Sequence, residues 1–95
     1  MNVSRMLQKK KKSLISVDTV TGHTINFHPE KNGQRKISGT LADGTKVHSP
    51  LLTCTKHGVT SIAAADGALS LKDMKLARKA IQVLSGKLDA KLRKK

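Results

Sequence analysis

The sequence predicts an α+β fold: a small antiparallel sheet or partly open barrel of about five to six short strands, packed by a C-terminal amphipathic basic helix. Two periodicities and a length predict it. Between 13 and 65, apolar residues recur at every second position and are interrupted by turn residues. From about 70 they recur with a helical period. A chain of 95 residues has no room for a second core, so both patterns must share one. The domain organisation read from these patterns is a basic arm over 1–12 followed by a single domain over 13–95, with strands in 13–65 and a helix over about 70–93.

The arm ends in Lys9-Lys10-Lys11-Lys12, a run that repels itself and is solvated when unbound. In the first strand Ile15, Val17 and Thr19 alternate with Ser16 and Asp18. Thr21-Gly22-His23 offers a turn, and Ile25 and Phe27 alternate behind it, which predicts a hairpin. His28 to Gly33 reads as a loop by composition. Ile37, Gly39 and Leu41 then share one face, with Lys36, Ser38 and Thr40 on the other. Asp43-Gly44 suits a type I′ turn, where both central residues need positive φ. Pro50 cannot donate to a ladder and marks an edge or a bend. The segments 51–55 and 59–64 flank His57-Gly58 as a third hairpin.

Ser70 with Asp73 three residues on resembles a capping box, with Asp in place of the usual Glu. Counted at about 100° per residue, Met74, Ala77, Ile81, Leu84, Leu88 and Leu92 fall in one stripe, which is expected to dock on the sheet. Leu76, Ala80 and Val83 form a second, smaller strip, usable for a dimer contact or for a wider buried face. Ser85-Gly86 is a weak point, where the helix either continues to Arg93 or stops near Leu84 and restarts. The cations from Lys91 to Lys95 would suit the negative end of the helix macrodipole.

The core has to be aliphatic. Phe27 is the one aromatic residue, and its alternation with Ile25 places it inside. Cys54 stands alone, which excludes an intrachain disulfide. The N-terminal segment has basic residues but no apolar run behind them, so it reads as neither a signal peptide nor a membrane span. The expectation is a soluble, cytoplasmic protein without membrane association, and a viral protein acting in its host's cytoplasm has the same signature.

Nineteen Lys and Arg against six Asp and Glu give a formal charge of +13. Solubility asks for a magnitude of only about 2–8 in a small domain. The excess costs stability through self-repulsion, and a polyanion removes that cost. The acids do not neutralise it. Asp43 and Asp66 precede glycines in turns, Asp73 opens the helix, and Asp18, Glu30 and Asp89 are dispersed. The cations gather in the arm, in the segment of Lys31, Arg35 and Lys36, and in the C-terminal region. Lys9, Lys10, Lys11, Lys12, Lys36, Lys72, Lys75, Arg78, Lys79, Lys87, Lys91, Arg93, Lys94 and Lys95 are the candidate nucleic-acid contacts.

Fifteen of the nineteen cations are Lys and four are Arg. Lysine is a point charge suited to phosphates, and arginine is the better reader of guanine edges. With no aromatic stacking platform besides Phe27, duplex DNA or structured RNA is favoured over a single strand. The leading expectation is therefore a non-enzymatic protein that binds nucleic acid through phosphates, largely independently of sequence. The alternative is a small basic modulator or virion component that docks on an acidic protein such as a polymerase, ribosome or nuclease. The absence of Trp and Tyr, the usual interface anchors, tilts against the alternative.

No catalytic pattern competes. There is no carboxylate pair for acid–base work and no phosphate-cradling glycine loop. His23, His28, His48, Cys54 and His57 match no zinc spacing, so neither metal nor cofactor is expected, and these histidines read as exposed turn residues beside a buried Cys54. A Cys–His nucleophile from Cys54 with His48 or His57 would need a cleft that a domain of this size has little volume for.

Overall fold

A computed structural model describes residues 14–64 and 67–93. The arm with Lys9 to Lys12, the turn residue Asp66, and Lys94 and Lys95 lie outside the described residues. Seven strands and one helix are present: β1 (Ile15–Thr19), β2 (Thr24–Phe27), β3 (Gln34–Thr40), β4 (Lys46–Val47), β5 (Pro50–Thr55), β6 (Gly58–Ala64), α1 (Leu71–Leu84) and β7 (Ala90–Leu92). All strand pairs are antiparallel, in the order β6-β5-β3-β2-β1-β7, with β4 also paired to β3. The sheet does not close into a barrel. No described helix is long and apolar enough to cross a membrane.

Alternation sets the two faces of the sheet. Ile15 and Val17 of β1, Ile25 and Phe27 of β2, Ile37 of β3, Val47 of β4 and Leu52 of β5 point inward and are buried. Phe27 is fully enclosed, as its period of two requires. Pro50 opens β5, a position where its missing N–H costs no ladder bond, and it too is buried.

β3 serves two edges. Its first half, Gln34 to Lys36, pairs with β5, and its second half pairs with both β2 and β4. Gly39 sits between Ile25 and Val47 at the most crowded point of this arrangement. It has φ 155, and a Cβ there would overlap the Thr24 carbonyl. Only glycine lets β2 approach this closely.

Two turns differ from their sequence readings. The segment taken as a loop closes tightly at Asn32-Gly33, with φ 53 and 77 and reciprocal bonds between Lys31 and Gln34 of 2.8 and 2.9 Å. This is the turn with positive φ at both central residues. At Asp43-Gly44 only Gly44 has positive φ. There the Leu41 N–H bonds the Thr45 carbonyl at 2.9 Å, and the Asp43 carboxylate accepts the Thr45 N–H at 2.9 Å. Asp43 thus works through its side chain rather than through a left-handed backbone.

The capping box is present: the Ser70 hydroxyl accepts the Asp73 N–H, and the Asp73 carboxylate accepts the Ser70 N–H at 3.1 Å. The helix ends at Leu84 and does not run to Arg93. Gly86, at φ 77, takes the left-handed position after the cap. Its N–H reaches the Val83 carbonyl at 3.2 Å, and the Lys87 N–H reaches the Gln82 carbonyl at 2.8 Å. That bond pair is the Schellman stop. The chain then pairs as β7 with β1, setting Lys91 opposite Asp18 and Leu92 opposite Val17. The last turn of α1 has no basic residue, so the terminal cations do not meet its macrodipole.

The docked face of α1 also differs. Leu76, Ala77, Ala80 and Val83 are buried, whereas Met74, Ile81 and Leu84 are only half-buried. The smaller strip is the centre of the contact, about 120° around the helix from the expected stripe at 100° per residue. Leu88 and Leu92 lengthen the expected stripe only if the helix continues past Leu84, and neither belongs to the helix.

Replacing Leu76, fully buried, by alanine should cost about 2–5 kcal/mol, whereas Leu71→Ala should stay within about 0.5 kcal/mol because Leu71 is 89% exposed. Gly39→Ala should also destabilise, by at least about 1–3 kcal/mol, because the neighbouring backbone must move. Chemical denaturation of the three variants checks the order. A Leu71 variant as unstable as the Leu76 variant would overturn this placement of the helix.

Candidate nucleic-acid interface

Two groups of cations stand on opposite sides of the sheet. The first is on α1, which packs over the inner face. Leu71, Lys75, Arg78 and Gln82 run along its exposed line, with Lys72 exposed and Lys79 half-buried on one flank. Spacings of three and four residues bring these side chains together. Leu71, Met74, Lys75, Arg78, Lys79 and Gln82 line a shallow depression. Lys87 is exposed in the turn that follows.

The second group is on the outer face. Lys36 is exposed on β3 between the inward-facing Arg35 and Ile37. Lys46 is exposed on β4 opposite Thr40, and Lys91 on β7 opposite Asp18. Arg93 follows in register, donating its N–H to the Ser16 carbonyl at 2.8 Å. The cations that the sequence groups in the C-terminal region are therefore divided between two faces, because the chain leaves the helix and crosses to the β1 edge. Lys46 belonged to no cluster in the sequence. Its position two strands from Asn26 emerges only from the β3–β4 pairing.

Arg35, which the sequence grouped with Lys31 and Lys36, is withdrawn from the surface. It is buried, donates from Nη1 to the His28 carbonyl at 2.8 Å, and lies 3.9 Å from Glu30 Oε2. This is the one ion pair among the described residues.

The histidines divide by environment. His48 and His57 are exposed, as expected, but His23 is buried and His28 half-buried. The Ala42 N–H donates to His23 Nδ1 at 3.0 Å, which requires that nitrogen to be unprotonated. Burial, and then the charges of Lys79 and Lys75, lower the His23 pKa against the opposing pull of Asp43. Burial and Lys36 lower His28 in the same direction. Hydrogen bonds from Thr45 hold Asp43 below the ordinary carboxylate value. Cys54 is half-buried rather than buried, and burial pushes its thiol pKa up, away from the nucleophilic thiolate. Among the described residues no three His, Cys, Asp or Glu side chains converge as metal ligands would.

No family model, curated protein or solved structure gives a significant match to this chain.

His23 makes stability depend on pH with a defined sign. A histidine held neutral in the fold but free to protonate in the unfolded chain leaves the unfolded state binding more protons. Stability should therefore fall as pH drops below the ordinary histidine value of 6.5, with His28 adding to the slope. Urea midpoints measured between about pH 7.5 and pH 5.5 should decline. His23→Asn, whose Oδ1 can accept the Ala42 N–H, should flatten that decline. A slope unchanged in this variant would remove His23 from the account.

Proposed function

We propose that this protein binds nucleic acid through phosphate contacts, without catalysis and largely independently of sequence. The observation that carries the reading is the missing compensation. Apart from Arg35, no described lysine or arginine has a described carboxylate within salt-bridge distance. Lys75 and Lys79, four residues apart on α1, repel one another, and pairs of this kind destabilise a helix by about 0.2–0.5 kcal/mol. A phosphate between them reverses the sign of that interaction. The nearby cations Lys72 and Arg78 extend the same surface to four charges.

The chemistry of the side chains supports backbone contact. Three of these four cations are lysines, which bind phosphate as point charges. The face carries no aromatic ring, and Phe27 is enclosed in the core, so bases have no stacking platform. The same lack of exposed aromatic anchors disfavours a docking surface for an acidic protein.

A phosphate bound at Lys75 and Lys79 would also cancel the charges that lower His23, so its pKa should rise on binding. Titration of the His23 ring by NMR, with and without a DNA duplex, reads this directly.

Four contacts from α1 predict that log K falls against log salt with a slope of about −3.6 on duplex DNA. Lys75→Glu with Lys79→Glu should reduce the slope magnitude by about 1.8 while leaving the far-ultraviolet dichroism unchanged. An affinity that barely changes with salt would refute phosphate binding. Capture of an acidic protein with no affinity for any nucleic acid would favour the protein-docking alternative.

A further inference from the structure

The outer face of β1, β2 and β3 carries a connected polar surface that phosphate binding by α1 does not use. Ser16 Oγ donates to Asn26 Oδ1 at 2.7 Å, Asn26 Nδ2 donates to Ser38 Oγ at 3.4 Å, and His28 Nε2 meets Ser38 Oγ at 3.1 Å. The register explains the chain of contacts, since Ser16 lies opposite Asn26 and Asn26 opposite Ser38. All four side chains are half-buried, and their mutual contacts link them into one network across the three strands. In the next row Thr24 donates to Asp18 Oδ1 at 3.0 Å and stands opposite Thr40.

Cations flank this strip on both sides. Lys91 and Arg93 lie along β7, and Lys36 and Lys46 lie on β3 and β4. Asp18 is the one described carboxylate among the outward-facing strand positions, and it stands beside Lys91. From β7 to β4 the row crosses four strand spacings, about 19 Å in all.

We infer that this face binds double-stranded RNA across its minor groove, an assignment that rests on the nucleic-acid reading above. The row of Ser16, Asn26 and Ser38 is uncharged and made of short hydroxyl and amide side chains, which suits hydrogen bonding to 2′-hydroxyls, while Asp18 in the next row is the carboxylate beside it. The margins are positive, which suits the phosphates of the two strands. The B-form major groove, about 12 Å wide, admits a helix or a two-stranded ribbon, and the B-form minor groove is about 6 Å wide. A five-strand face enters neither. The A-form minor groove is wide and shallow and presents the 2′-hydroxyls at its surface. A single strand would need stacking partners, and this face has no Phe, Tyr or Trp.

The test compares an RNA duplex, a DNA duplex of the same sequence, and the RNA duplex with 2′-O-methyl groups, titrated at one salt concentration. The RNA duplex should bind about tenfold more tightly than the other two, the effect of losing about two hydrogen bonds. Asn26→Ala with Ser38→Ala should weaken RNA by a similar factor and leave DNA unchanged. Asp18→Asn keeps an acceptor for Thr24 but removes the carboxylate within the strand rows, so it should tighten RNA binding without perturbing the fold. Equal affinity for RNA and DNA duplexes, with Asp18→Asn silent, would overturn this inference and leave phosphate binding by α1 standing. Failure of the unmodified protein to bind any duplex at low salt would overturn both.

Discussion

The pairing of β3 with three other strands fixes both faces of the sheet. Its first half holds β5, and its second half is flanked by β2 and β4. That second half can be flanked closely only because residue 39 has no Cβ to meet the Thr24 carbonyl. Once the pairing is set, alternation decides the rest. Arg35 and Ile37 turn toward the core, and Lys36 and Ser38 turn toward water. The aliphatic core, the seat for α1 and the polar outer strip are all consequences of that one strand.

The positive charge is arranged around this frame rather than within it. Arg35 is the one described cation taken inside, and it receives both a carbonyl and a carboxylate. The other described cations stay at the surface with no described carboxylate within salt-bridge distance. The Schellman stop at Gly86 divides them into two groups, because it sends the chain back to β1 instead of extending the helix. Lys91 and Arg93 thereby join the outer face, leaving Lys72, Lys75, Arg78 and Lys79 to α1. On the proposed reading, this division separates the α1 face that would contact phosphates from an outer face whose centre would discriminate sugars.

Much of the fold was legible in the sequence because alternation is a local signal. The first three strands follow from it, the later ones were marked by the turns between them, and Phe27 is enclosed as its pattern requires. The capping box at Ser70 and Asp73 was equally plain, since both residues act within one turn. What the sequence obscured depends on distant contacts. A helix with both Met74, Ala77, Ile81 and Leu84 and Leu76, Ala77, Ala80 and Val83 offers two adjacent apolar strips, and the shape of the sheet chooses between them. The segment around β7 does alternate, with Leu88, Ala90 and Leu92 apolar and Asp89, Lys91 and Arg93 charged, but Leu88 and Leu92 also fit the helical period, so the local pattern did not separate a strand from a continued helix. The cations of α1 were visible as a spacing. The strip of Ser16, Asn26, His28 and Ser38 was not, because its members lie on three strands and meet only through register.

Thermal unfolding as a function of salt, with and without an RNA duplex, tests most directly whether uncompensated charge governs this protein. Salt screens repulsion between exposed like charges, with a Debye length that falls from about 30 Å at 0.01 M to about 8 Å at 0.15 M. The account predicts a Tm that rises with salt in the free protein. It also predicts a larger rise on adding the duplex at low salt, a gain that shrinks as salt is increased. A Tm that falls with salt and does not respond to the duplex would contradict it.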